Sequence, residues 1–253
     1  MKKFILSAGA LAASVTLLVT HATAQVHRVT CIINGTIRIE RGEHLPSKMF
    51  LYDTYQGRLR NLDSAAVVNN GYHFSRSINE QKQVTLAAGE LQSDPNTHEV
   101  LTKGCSVYLA EGVINIVSNA SLKNREVTGS GSRATRDFEE ATLHSSHYMD
   151  SLRALMHTPA FKSDEQFQKR VRSGLGQAFK MELNEQYAFV KKHLDSPIAP
   201  DVVGFLAKVG VMLSIIKQEE LDALIASLPP ASQALVKKKL AAAGTQQNGM
   251  IHN

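Results

Sequence analysis

Two groups of residues in this chain have the side chains and spacing for chemistry. Cys31 and Cys105 are its two cysteines. In an oxidising compartment such a pair can form one structural disulfide, and otherwise both sit as small buried apolar groups. Pairing needs Cα atoms within about 7 Å, which sequence alone leaves open. The separation is unlike the Cys-x-x-Cys of a redox centre, and neither thiol has a flanking cationic cluster or a nearby resolving cysteine to lower its pKa. No residue is therefore assigned a catalytic role. The second group is Glu140, His144 and His147, whose spacings of four and three share one face of a continuous helix. Carboxylate and imidazole are zinc ligands. The competing reading is a solvated helix face, because metal sites draw ligands from several elements. Gly129-Ser130-Gly131 lacks the strand-lysine context of a phosphate loop and reads as a hinge. No cofactor is implied.

The elements that position these groups follow an export signal, residues 1–24. Lys2 and Lys3 give a positive start, Phe4 to Val19 an uncharged and mostly apolar run, and Ala22-Thr23-Ala24 a small-residue cleavage site. The run is shorter than the roughly 20 residues that span a bilayer. No cysteine stands at the cleavage point to carry a lipid. The expected mature protein is soluble and periplasmic or otherwise exported, with no membrane span. Without Lys2 and Lys3, 26 basic residues face 23 acidic ones, so the formal charge falls from +5 to +3. That bias is too weak for a nucleic-acid partner, and Lys237-Lys238-Lys239 reads as a solvated helix face.

Residues 25–130 predict an antiparallel β-sandwich, with β-branched and aromatic runs at 29–39, 48–55, 59–68, 72–78, 83–88, 106–110, 113–117 and 122–128. Asn69-Asn70-Gly71 and Ala110-Glu111-Gly112 place glycine where a tight hairpin needs positive φ. Residues 92–102 read as an exposed loop. After Gly131 the period shifts towards 3.6, so residues 131–243 predict a helical segment packed on the sandwich, an α+β fold. Its first helix, 134–156, carries Phe138, Tyr148, Leu152 and Leu155 near one face. A capping box at Ser163–Gln166 starts a second helix running to about Leu194, with Gly174 and Gly176 as a kink point. Shorter helices follow over 200–213, 218–228 and 231–243, and residues 244–253 read as a disordered tail.

Several short motifs then occur in a telling order: Leu62-Asp63-Ser64-Ala65, Asn70-Gly71-Tyr72-His73-Phe74, Tyr108-Leu109-Ala110-Glu111-Gly112 and Val127-Thr128-Gly129-Ser130. Together they resemble DUF4369, the domain that precedes the thioredoxin-like domain in many exported thiol–disulfide proteins of Bacteroidetes, relatives of TlpA and ResA. Phe189 to Ser196 resembles the family's Phe-x-x-x-His-Pro-x-Ser segment, with Leu194 in place of the proline. In that family the chemistry belongs to a Trp-Cys-x-x-Cys centre, and this chain contains no tryptophan and no Cys-x-x-Cys. Asp63-Ser64-Ala65 also matches a Bacteroidetes O-glycosylation pattern at Ser64. The competing reading there is an inward-facing serine.

These readings lead to a non-catalytic exported binding module. Its expected partner is a second copy, an envelope protein, or a peptide or glycan on the sandwich face. The alternatives are a truncated relic of a thioredoxin-like thiol–disulfide oxidoreductase, and a periplasmic metal-binding protein built on Glu140, His144 and His147.

Overall fold

A computed structural model describes residues 28–55, 58–90, 92–93, 100–101 and 104–249; residues 1–24, read as an export signal, lie outside them. In chain order the strands are β1 (Val29–Arg38), β2 (Lys48–Tyr55), β3 (Arg58–Ala66), β4 (Gly71–Ile78), β5 (Lys82–Ala88), β6 (Gln92–Ser93), β7 (Val100–Leu101), β8 (Gly104–Leu109), β9 (Gly112–Asn119) and β10 (Arg125–Thr128). Two four-stranded sheets result, ordered β10-β9-β1-β4 and β3-β2-β5-β8, and β6 pairs with β7 inside the stretch read as a loop. Every pairing in the two sheets is antiparallel except β1 with β9, which is parallel.

The sandwich forms because alternate residues of each strand are apolar and point at the other sheet. Ile33 and Ile37 of β1, Phe74 of β4 and Ile114 and Ile116 of β9 meet Met49, Leu51, Leu86 and Val107 in one core. Burying each such side chain contributes roughly 1.5–3 kcal/mol. Tyr72 enters the same core by lying across Gly35, where a Cβ would come within 1.8 Å of its ring. The β3–β4 tight turn works differently from the expectation. Asn69 and Asn70 take φ of 49° and 62°, and Val68 and Gly71 exchange backbone hydrogen bonds at 2.9 Å. Asparagine tolerates this left-handed geometry, so Gly71 need not supply it. At the β8–β9 turn Gly112 does, with φ of 104°, but like β3–β4 this turn crosses from one sheet to the other, so it is not the hairpin expected there.

The two open sides of the sandwich are closed by different means. On one side Arg76 of β4 reaches across to β3, donating to the Leu62 carbonyl at 2.8 Å and pairing with Asp63 at 3.0 Å. On the other lies α1 (Arg133–Ala141). Its Thr135 Oγ1 accepts the edge-strand N–H of Tyr108 at 2.9 Å, and its Glu139 meets Arg125 of β10 at 2.6 Å. A helix covering an edge removes a site for stray strand pairing.

The helices that follow are α2 (Leu143–Met156), α3 (Pro159–Ser163), α4 (Glu165–Lys192), α5 (Ala199–Phe205), α6 (Gln218–Ser227) and α7 (Pro230–Gly249), with a π-helical turn at Leu206–Gly210 after α5. The single helix expected over 134–156 is two. Thr142 has φ −129°, outside the helical region, and Glu185 of α4 caps the new start by accepting from Ser145 N and Oγ at 3.1 and 2.7 Å. Asp164, not Ser163, caps α4, accepting from Phe167 N at 3.0 Å. Gly174 and Gly176 leave the 28-residue helix unbroken. A Cβ at Gly174 would stand 2.9 Å from Leu152 of α2, so this glycine serves close helix packing instead. Helix α7 runs on through residues 244–249, read as disordered tail.

The helical core is built from Leu183, Phe189 and Val190 of α4, Val202 and Val203 of α5, Leu224 of α6 and Val236 of α7, with Tyr108 from β8 among them. The Tyr108 and Phe138 rings meet at a 52° tilt, their centroids 5.6 Å apart. Polar ties add to this junction. Gln81 donates to the Pro197 carbonyl, Lys238 pairs with Glu80 at 3.1 Å, and Lys239 pairs with Asp201 at 2.6 Å. Lys237 and Lys238 remain exposed, as a solvated face would have them, while Lys239 is half-buried in its bridge.

Candidate functional site

Helices cover part of the outer face of the β3-β2-β5-β8 sheet, but no described element covers the outer face of the other. One cross-strand rung there joins Thr128, Asn115, Asn34 and His73, one residue from each of β10, β9, β1 and β4. Asn34 Nδ2 donates to Asn115 Oδ1 at 3.1 Å, and Asn34 Oδ1 lies 2.8 Å from His73 Nδ1. An amide oxygen only accepts, so His73 carries a proton on Nδ1 and in its neutral form leaves Nε2 as an acceptor. Held from both sides, the Asn34 amide has little rotamer freedom left to lose on binding. Half-buried Ile32, Val113 and Val117 flank the row. Strands about 4.8 Å apart set the four residues over roughly 14 Å. This is a platform of hydrogen-bond donors and acceptors suited to polar recognition.

Gly129-Ser130-Gly131, read as a hinge, is docked beneath this row. Gly131 N donates to the Val113 carbonyl at 2.9 Å, and Ser130 Oγ accepts from Val113 N at 3.0 Å. Gly129 has φ of 104°, and a Cβ there would meet the Val113 carbonyl oxygen at 2.3 Å and Asn115 Nδ2 at 3.3 Å. Glycine is required by both conformation and contact.

The residues singled out from sequence fare differently. Cys31 and Cys105 are free and buried. Cys31 pairs with Gly112 beside the β8–β9 turn, while Cys105 lies five residues before that turn on extended β8. At about 3.3 Å per residue that puts them on the order of 16 Å apart, too far to bridge. Burial pushes the Cys31 thiol pKa up, a hydrogen bond with the Ala110 backbone and nearby Arg76 opposing it only in part. Burial raises Cys105 to about 11.

Glu140, His144 and His147 do not form a metal site. The break at Thr142 separates Glu140 on α1 from both histidines on α2, and Glu140 instead approaches His193 at 4.0 Å. No group of three or more metal-ligating side chains with suitable geometry occurs among the described residues. Ser64 is exposed, not inward-facing. It stands opposite Phe50 in β2, which also faces away from the sandwich core. The Asn34–His73–Asn115 row was missed from sequence. Its signal is present as polar residues alternating with apolar ones in three strands, but which strands are neighbours is not.

Residues 31–137 match the family model described as Domain of unknown function (DUF4369). The matched segment is the sandwich, from β1 into α1, the region whose motifs resemble that family. No curated protein and no solved structure matches the chain significantly.

Proposed function

We propose that this chain is a non-catalytic exported binding module, and that it holds its ligand on the open face of the β10-β9-β1-β4 sheet. The observation that carries this reading is the fixed Asn115–Asn34–His73 row, an ordered set of polar groups on a face that no described element covers. The partners that suit it are a peptide or glycan of the cell envelope, an envelope protein, or a second copy of the chain.

The thiol–disulfide alternative fits less well. Thiolate is the reactive form, and burial holds both thiols protonated well above neutral pH. No described helix is long and apolar enough to cross a membrane, which suits a module working in solution or at a surface.

Amide resonances of isotopically labelled residues 25–253 should be followed during titration with neutral oligosaccharides and extended peptides. Shifts clustered at Asn34, His73 and Asn115, and lost in His73→Ala, are expected. Shifts confined to the helices would refute the face assignment. Insulin reduction above a buffer control that disappears in Cys31→Ser or Cys105→Ser would refute the non-catalytic reading.

A further inference from the structure

The helical segment carries a second surface, independent of the open sheet. Helices α2, α3 and the first half of α4 form an arm with a thin interior. Leu152, Phe161, Val171 and Ala178 are buried there, yet none belongs to the sandwich core or the helical core. Against this the arm exposes large apolar side chains, with Tyr148 37 %, Leu155 38 % and Met181 40 % accessible.

These three fall on one side. Leu152 packs at Gly174 and Ser145 at Glu185, so α2 and α4 run antiparallel along those lines. At about 100° per residue, Tyr148 and Leu155 lie on one flank of the α2 contact line. Met181 and Arg170 lie on the flank of α4 that antiparallel pairing brings to the same side. Phe179 and Leu183 take the opposite flank, where Phe179 meets Phe205 and Leu183 enters the helical core. The apolar trio thus faces away from the body of the protein.

The charge of this arm is net positive. From Leu143 to Met181 the chain carries six Lys or Arg residues and three Asp or Glu. The acids are occupied, Asp150 by Arg153, Glu165 by Lys169, and Asp164 in capping α4. Lys162, Arg170 and Lys180 are exposed and have no carboxylate partner among the described residues, Arg170 lying over the Phe167 ring, whereas Arg172 falls on the opposite flank of α4 with Phe179 and Leu183. Exposed His144 and His147 stand on α2 beside Tyr148. A second copy of this face would bring like charges together, whereas an anionic surface with an apolar interior would satisfy both features.

We propose that this arm docks the protein on anionic phospholipid. Tyr148, Leu155 and Met181 enter the boundary between headgroups and acyl chains, and the unpaired cations meet the headgroup phosphates. Binding of this kind weakens as salt screens the charges.

The test is sedimentation of residues 25–253 with vesicles, a chain that keeps every described element but lacks the apolar run at 4–19. Binding to equimolar phosphatidylcholine and phosphatidylglycerol is expected to exceed binding to phosphatidylcholine alone by about tenfold at low salt, and to fall at high salt. Tyr148→Ser with Leu155→Ser, and separately Arg170→Glu with Lys180→Glu, should each reduce it about tenfold while the thermal transition persists. All four side chains are exposed, so folding should survive. Equal binding to both vesicle types, or full binding by both double variants, would overturn the proposal. So would a dimer in sedimentation velocity that the Tyr148 and Leu155 changes dissolve, or capture of an acidic protein by this face without any vesicle binding.

Discussion

Tyr108→Ala tests whether the sandwich and the helices fold as one unit. Tyr108 is 2 % exposed, and although it belongs to β8 its ring sits in the helical core against Phe138. Truncating a buried aromatic to alanine costs about 3–5 kcal/mol, because transfer energy is lost and a cavity remains. That is a large part of the roughly 5–15 kcal/mol that holds a domain together. In urea the midpoint should fall by on the order of 1–2 M. Helical circular dichroism and hydrogen exchange of β1 and β9 amides should both report the drop, because one side chain belongs to both layers. Tyr108→Phe keeps the ring and should cost at most about 1.5 kcal/mol. If Tyr108→Ala lowers stability by less than about 1 kcal/mol, or shifts the helical signal while β1 and β9 protection stays unchanged, the two layers are separate domains and this reasoning fails.

Three further outcomes follow from single contacts. Gly35→Ala should destabilise by about 1–3 kcal/mol, since the new Cβ overlaps the Tyr72 ring; combined with Tyr72→Ala the cost should fall below the sum of the two, and strict additivity in denaturant melts would show that the ring does not depend on that gap. Cys105, raised to about 11 from 9.0, should react with Ellman's reagent at pH 8 about a hundredfold slower in the native protein than after unfolding, and a fast native reaction would contradict its burial. Asp201 is raised by burial, with Lys239 only partly opposing, so the folded state binds its proton more tightly than the unfolded chain. That contribution is full below the ordinary carboxylate pKa and lost as pH rises through the raised value; the melting-temperature difference between wild type and Asp201→Asn should therefore shrink or reverse across this acidic window, and a flat difference would refute the assignment.

Local pattern was enough for much of this protein. The strand runs match β1 to β5 and β8 to β10 closely, because alternation in a two-layer sandwich is written residue by residue. Proline likewise marked where α5 and α7 begin, although Gly244 does not end α7. What the sequence withheld was settled by partners distant along the chain. Thr142 ends a helix that periodicity would continue, because Glu185, forty residues on, caps a new one. The i, i+4 link between Glu140 and His144 disappears with that break. Gly129-Ser130-Gly131 has a hinge's composition, but hydrogen bonds to Val113 turn it into a support. Cys31 and Cys105 lie in neighbouring layers, yet strand register puts them at different heights. The polar row itself needed β1 to lie between antiparallel β4 and parallel β9, so that Asn34 falls level with His73 and Asn115. Periodicity says which side of a strand a residue faces; only the tertiary pairing, driven by joint burial of both sheets, decides which residues stand beside it.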